Sequence, residues 1–317
     1  MSLRFTPLTL VIDENKSRSI AEFKETYCDT LLTFLKYRFK YSRKHGKTFT
    51  NEKKLCLASD IKPPSSDKIA GVLCHKGTYY DTYLTNHIVG TRLQNMSTNE
   101  VIADFTHTFP IIRKRVIHKP EAITNSDTNN TIELKDITNS DMNNEIGIST
   151  LGFSQDNFLV IWKQSDKSQS SSGLLVPTGS GSCDWKDICG NDFTKTITQA
   201  MERELWEESG RNKLASNHLT VGKTLISGYF RWITRAGKPE FVGITKVNAR
   251  YTAFTPDPKE LNKFKKEYPI DSLEDIPMTI QDILSENNVS IPLYMALLCL
   301  EDYYRNHSAE LNTFLFE

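Results

Sequence analysis

Apolar positions recur at two different periods along this chain, and the change of period marks its parts. Near the N-terminus, Ile20, Phe23, Tyr27, Leu31, Leu32 and Leu35 repeat at about 3.6 residues behind Ser19, which predicts an amphipathic helix with Ser19 as its cap. Two short apolar runs follow, Lys54–Ala58 and Ile69–Cys74, and read as strands. After a polar stretch the short runs resume. Ile146–Leu151 and Asn157–Lys163 are continuous enough to be buried strands, and Ser154-Gln155-Asp156 supplies the turn between them. Leu174-Leu175-Val176 leads into Pro177 and a glycine-rich turn. Ile197, Met201 and Leu205 then stand at i, i+4 and i+8, the stripe of a helix packed on a core. Thr224–Trp232 and Glu240–Val247 flank the turn Arg235-Ala236-Gly237-Lys238, a second strand pair. Ile291 to about Leu311 reads as a closing helix, capped by Ser290 and tolerant of Pro292 in its first turn.

Residues 121–145 break this rhythm. They contain the near-repeat Ile123–Asn130 and Ile137–Asn144, rich in Asn, Asp, Ser and Thr, whose side chains compete for the backbone and favour turns. Two copies are too few for a solenoid. The expected organisation is an N-terminal α+β domain over 1–120, a polar linker over 121–145 and a second domain over 146–317.

The helix carrying the apolar stripe also carries Arg203-Glu204-Leu205-Trp206-Glu207-Glu208-Ser209-Gly210. Glu204, Glu207 and Glu208 lie at i, i+3 and i+4, so three carboxylates leave one face, a repulsive arrangement unless a cation sits among them. Hard oxygen donors suit Mg²⁺ or Mn²⁺, and such ions assist displacement at phosphorus. Gly210 follows the last glutamate where a helix would end. This octapeptide resembles the second half of the Nudix hydrolase signature, G-x5-E-x7-R-E-U-x-E-E-x-G-U with U a bulky apolar residue, and the order of strands and helices around it matches that family. The resemblance implies an α/β fold, a Nudix-like α/β/α sandwich around a mixed sheet over roughly residues 145–310, preceded here by the small α+β domain.

The first half of the signature departs. Lys195 stands where a glutamate is expected, Cys189 where a glycine is expected with Gly190 one residue late, and Arg211 at the final apolar position. An insertion over Ser182 to about Asp192 accounts for much of this. The resemblance implies metal-dependent hydrolysis of a phosphoanhydride bond in a nucleoside diphosphate linked to another group. Glu204, Glu207 and Glu208 would be the metal ligands and the catalytic set together with Arg203. With Lys195 in place of its usual partner, Arg203 is expected to turn to Asp192 or another carboxylate, or else to Glu207 or the backbone. The proton acceptor stays open between the box and a later loop, where Glu240, Glu267 and Glu274 are candidates. Gly179 and Gly181 read as a tight turn, or as a close backbone approach to a phosphate of the bound nucleotide; a Walker loop is excluded because no Gly-Lys-Ser/Thr follows. Two other readings stand beside the hydrolase: a non-catalytic Nudix-fold module sensing a nucleotide or nucleotide sugar, and a scaffold in which the box is only structural.

Composition narrows the partners. The 317 residues are 38% hydrophobic and 25% charged with a formal net charge of +0, an ordinary globular balance with no apolar run long enough to span a membrane. The expected partner is a small nucleotide derivative, with no membrane and no nucleic acid, in a cytoplasmic protein that a homodimer would suit. Two basic clusters bear on that: Lys36, Arg38, Lys40, Arg43, Lys44, His45 and Lys47 interleaved with Tyr37, Phe39 and Tyr41, and Arg113-Lys114-Arg115 with His118 and Lys119. At zero net charge they read as a solvated helix face, and if turned to the cleft they would hold a nucleotide's phosphates. The cysteines at 28, 56, 74, 183, 189 and 299 contain no C-x2-C pair and read as free thiols, although Cys183 and Cys189 are close enough in sequence to meet. His75, His87 and His107 read as packing or surface residues.

Overall fold

The structure, a computed structural model, describes residues 8–26, 28–46, 50–61, 71–105, 112–116, 130–134, 136–166, 171–210 and 221–317. The N-terminal part contains β1 (Thr9–Ile12), α1 (Glu14–Thr26), α2 (Cys28–Lys44), β2 (Lys53–Leu57), β3 (Gly71–Thr78), α3 (Tyr79–Tyr83), β4 (Arg92–Gln94), β5 (Val101–Asp104), β6 (Ile112–Val116) and β7 (Asn130–Leu134). The second part contains β8 (Gly147–Phe153), β9 (Phe158–Gln164), β10 (Leu175–Val176), β11 (Gly179–Ser182), α4 (Phe193–Ser209), β12 (Val221–Trp232), β13 (Lys238–Val247), β14 (Leu261–Pro269), α5 (Asp275–Ser285), α6 (Ile291–Asn306) and α7 (Ser308–Phe316). Among the described residues, no helix is long and apolar enough to cross a membrane.

The second part is an α/β/α sandwich. Its mixed sheet runs β10-β9-β8-β13-β12, with β11 paired to β8 and β14 to β9; β13 and β8 are parallel and the other pairs antiparallel. Alternate residues of one strand face opposite layers. On β9, Leu159 and Ile161 join the core under α5, α6 and α7, whereas Val160 and Trp162 join Leu205 of α4. On β13, Val242 and Ile244 face the first layer and Phe241 faces α4. Burial on both faces is why these strands read as unbroken apolar runs. The β8–β9 turn places Asn157 at φ 63°, a left-handed position that asparagine tolerates.

α4 is seated by Phe193, Ile197, Met201 and Leu205, all fully buried. Each such side chain contributes roughly 2 kcal/mol on burial, far more than the few tenths lost to like-charge neighbours on the same helix. Asp192 caps its start through the Lys195 amide. Gly210 ends it at φ −124°, so the stop does not use the left-handed conformation special to glycine. Several boundaries differ from the sequence pattern. α1 begins at Glu14, placing Ser19 inside a helix rather than at its cap, and the N-terminal helical stretch is divided into α1 and α2. The closing helix is broken at His307 (φ −141°, ψ 37°), after Ser290 has capped its start as expected.

β1, β3 and β2 form a small sheet docked on the α4 side. Leu8, Leu10, Leu55, Leu57, Val72 and Cys74 share one core with Phe193, Ile197 and Met201. Backbone bonds seal the seam: Leu10 N–H donates to Asn191 O at 2.7 Å, Leu55 N–H to Cys183 O at 2.9 Å, and Phe193 N–H to Leu8 O at 2.9 Å. Within the polar stretch, residues 121–129 and 135 lie outside the described residues. From Ile137 to Ile146, at the end of the stretch read as a polar linker, the chain threads between the two sheets with Ile137, Asn143, Asn144 and Glu145 buried. All six cysteines are free, Cys183 and Cys189 included.

Candidate active site

β11 runs directly beneath the carboxylate face of α4, and the absence of side chains permits it. A Cβ on Gly179 would stand 2.5 Å from Leu205 Cα, and one on Gly181 would stand 2.4 Å from a Glu204 carboxylate oxygen. Gly179→Ala is therefore expected to lower the unfolding free energy by about 2 kcal/mol, because backbone rather than a flexible tip must yield; denaturant unfolding with an unchanged midpoint would refute this. The Ser180 N–H between them donates to Glu208 Oε2 at 2.9 Å. Trp162 and Ser209 tie the helix end to the sheet, the indole donating to Ser209 Oγ at 2.8 Å.

Arg203 pairs with another carboxylate, with Glu207 and with the backbone, and not with Asp192. Its guanidinium forks onto Asp187, Nε to Oδ1 at 2.8 Å and Nη2 to Oδ2 at 2.9 Å, and Nη2 also donates to Ser182 O. Nη1 bonds Glu204 Oε1 at 2.9 Å and Glu207 Oε2 at 3.0 Å. Asp187 is held by a short turn in which Asp184 and Asp187 cap one another. Asp184 in turn receives Lys54 Nζ from β2 at 2.5 Å, both side chains buried. Lys54 and Arg203 hold the Asp184 carboxyl below its ordinary range against the opposing effect of burial. The insertion over 182–192 is thus the segment that supplies the arginine's carboxylate. Asp192 is occupied as a cap, and Lys195 points to solvent.

Glu260 joins Glu208 from the loop before β14. That loop docks on the open end of α4, where Asp257 N–H donates to Glu208 O at 2.8 Å and Thr255 N–H to Ser209 O at 2.7 Å, satisfying helix carbonyls that lack internal partners. Burial first, then Glu204 and Glu260, pushes the Glu208 carboxyl well above its usual range. Burial pushes Glu204 up to about 7 despite Arg203 beside it. Burial and Asp257 raise Glu260. These directions describe carboxylates that burial disfavours as anions.

Among the described residues, no three His, Cys, Asp or Glu side chains are already converged to hold a metal ion. Arg203 accounts for part of this by drawing Glu204 and Glu207 toward itself. The donor chemistry fits a hard divalent cation, since Glu208 is buried and Glu204 partly buried, and the ionised form of each is disfavoured by that burial without a cation.

Glu208, Glu260, Ser180 and Gly181 border a cavity of about 250 Å³. Its other end is lined by Arg38 of α2, Tyr79 of α3, His87, and Trp232, Arg235 and Lys238 of the β12–β13 hairpin. Among the described residues of the first basic cluster, only Arg38 reaches this cavity, and Lys47 lies outside them; the side chains of the second cluster lie outside the described residues, as does His107. His87 lines the cavity, whereas His75 is a packed residue whose Nε2 contacts Asn143 O at 3.0 Å. Of the later carboxylates, Glu240 is buried against Lys238 at 2.7 Å, while Glu267 and Glu274 are exposed away from the site. Sequence reasoning missed Glu260, Asp187, Asp184 and Lys54. Only the Asp184-x-x-Asp187 spacing left a trace, that of a reciprocal cap.

No family model matches the chain, and no curated protein matches it. Among solved structures, the MutT protein from Methanosarcina mazei Go1 is 14% identical, covering 51% of this chain and 93% of that one at a TM-score of 0.32. A NUDIX hydrolase from Nitrosomonas europaea is 16% identical over 51% and 88%, with a TM-score of 0.34. The C. elegans Ap4A hydrolase in a binary complex is 18% identical over 54% and 99%, with a TM-score of 0.31.

Proposed function

We propose that the chain is a metal-dependent, Nudix-type hydrolase that cleaves a phosphoanhydride bond in a nucleoside diphosphate derivative. The observation that carries this reading is that Glu208 and Glu260 border one end of a cavity, with Glu204 against Gly181 of a strand whose glycines let the backbone lie against the helix. Glu204, Glu207 and Glu208 would hold Mg²⁺ or Mn²⁺, which supplies charge neutralisation at the phosphoryl group and acidifies water. Ser180 N–H fixes the Glu208 carboxylate. Arg203, anchored on Asp187, orients Glu204 and Glu207. Glu260 borders the cavity beside Glu208, and its raised affinity for a proton suits it to accept one from the attacking water. Cytoplasmic location belongs to this reading.

One observation favours the sensing module instead: Arg203 already occupies an oxygen of both Glu204 and Glu207. The deciding experiment is phosphate or nucleotide release from a panel of nucleoside diphosphate derivatives, with Mg²⁺ or Mn²⁺ and again with EDTA. Turnover that EDTA abolishes is the expected result. Ligand binding without turnover across the panel would transfer the assignment to the sensing module.

A further inference from the structure

At the other end of the cavity from Glu208 and Glu260, one ammonium serves two carboxylates. Lys238 Nζ contacts Glu240 Oε1 at 2.7 Å and stands 3.9 Å from Glu145 Oε1. Glu240 is also held against β8, where a Cβ on Gly147 would stand 2.0 Å from its Oε2. Glu145 is left short. It borders the cavity at 4% exposure, yet its Oε2 has no hydrogen-bond partner. Burial above all pushes this carboxyl above its usual range, against the attraction of Lys238 and Lys54 and a hydrogen bond from Thr82. His87 Nε2, at the same end, is likewise buried without a partner. Burial, with Arg235, Lys238 and Arg38 around it, holds that imidazole well below the ordinary histidine range, so the ring is neutral and Nε2 donates or accepts according to its tautomer. Arg38 and Tyr79 line this end with partners of their own and leave Glu145 Oε2 unsatisfied. Buried polar atoms normally find partners, and an unmet carboxylate oxygen on a cavity marks where a ligand supplies one.

The missing group is a donor. A metal ion does not suit this place, because Lys238 already stands beside the carboxylate and, among the described residues, no three His, Cys, Asp or Glu side chains converge to hold one. A neutral N–H group does suit it. Trp232, with the Arg235 guanidinium 3.9 Å from its ring centre, and Tyr79 give the same end aromatic walls. An aromatic surface beside a carboxylate suits an aminated heterocycle, whose ring stacks while its exocyclic amino group donates to the oxygen. An oxo group at the same position would set one acceptor against another, a repulsive arrangement. Tyr79 and His87 come from the N-terminal part, Glu145 from the segment threading between the sheets, and Trp232 from the hairpin of the sandwich, so neither part makes this end alone.

We propose that this end is a nucleobase subsite in which Glu145 accepts a hydrogen bond from an exocyclic amino group, so that the substrate derives from adenosine, guanosine or cytidine rather than from uridine or inosine. The position of its diphosphate at the Glu208 end rests on the hydrolase reading; the recognition of the base does not.

The test titrates the full chain, in EDTA, with nucleosides that carry no phosphate: cytidine against uridine, and adenosine and guanosine each against inosine. Each comparison replaces or removes one amino group. At least one amino-bearing nucleoside is expected to bind about tenfold more tightly than its counterpart. In Glu145→Gln, whose amide presents either an acceptor or a donor, that preference is expected to vanish while the counterpart keeps its affinity, which also shows that the site is intact. Glu145→Asp keeps the charge but withdraws it by one methylene; it is expected to weaken the preference, and it serves where Glu145→Gln does not fold. Equal affinities in every comparison, failure of all five nucleosides to bind, or a preference that either folded variant retains in full overturns the proposal. Metal-dependent phosphate release from the matching diphosphates is measured separately. An amino preference without turnover sinks the hydrolase reading alone, and turnover blind to the amino group sinks the base subsite alone.

Discussion

Glu208→Gln is expected to lower the metal-dependent turnover by about three orders of magnitude, or roughly 4 kcal/mol of transition-state stabilisation, while the protein stays folded. Among the three box glutamates it is the one that Arg203 does not hold, and it sits deepest, 2% exposed, against Ser180. Glutamine keeps a carbonyl oxygen for the Ser180 N–H and preserves the shape of the side chain. It removes the charge that burial, Glu204 and Glu260 all disfavour, so stability in EDTA is expected to hold or rise. Activity and stability should therefore move in opposite directions. Steady-state kinetics with Mg²⁺ beside denaturant unfolding in EDTA measures both. A folded variant with wild-type turnover would remove Glu208 from the chemistry.

Asp187→Ala should do the reverse, destabilising the protein by about 3 kcal/mol and lowering turnover along with it. It strips a half-buried guanidinium of its two-pronged partner, and breaking a buried pair from one side leaves the remaining charge uncompensated. Arg203 would then be held only by Glu204, Glu207 and the Ser182 carbonyl, pulling two box carboxylates away from the cavity. Asp192→Ala is the matched control. Asp192 caps α4 through the Lys195 amide and touches no charge of the box, so its loss should cost about 1 kcal/mol with little effect on rate. Unfolding and kinetics on the two variants separate the roles. Equal losses, or a rate indifferent to Asp187→Ala, would mean that Arg203 is positioned by something else.

These two variants also show where sequence reasoning reached and where it stopped. The spacing of Glu204, Glu207 and Glu208 is a local property, because a helix places i, i+3 and i+4 on one face wherever it lies. The stripe of Ile197, Met201 and Leu205 is local in the same sense, and all three are buried. Strands buried on both faces, such as Phe158–Gln164, announce themselves as apolar runs. The sequence offers Glu207 and the backbone as partners of Arg203 but leaves open which other carboxylate it forks onto. Eight residues upstream the chain offers Lys195, and the carboxylate comes instead from sixteen residues away, through a turn whose only mark is a pair of aspartates capping each other.

Periodicity, helix spacing and capping residues by themselves determined β8, β9, α4, β12, β13 and the start of α6, together with the face bearing the three carboxylates, since each depends on near neighbours in the chain, whereas β11, β14 and α5 had no such mark. Only the tertiary structure decided what those carboxylates meet. Glu260 arrives because backbone amides at Thr255 and Asp257 satisfy the end of α4, and Lys54 reaches Asp184 across 130 positions because β2 docks beside the insertion. Arg38, Tyr79 and His87 face the same cavity because the N-terminal sheet shares the core of α4. Groups so far apart in sequence meet only once apolar surface is buried between them, and no local pattern records that pairing.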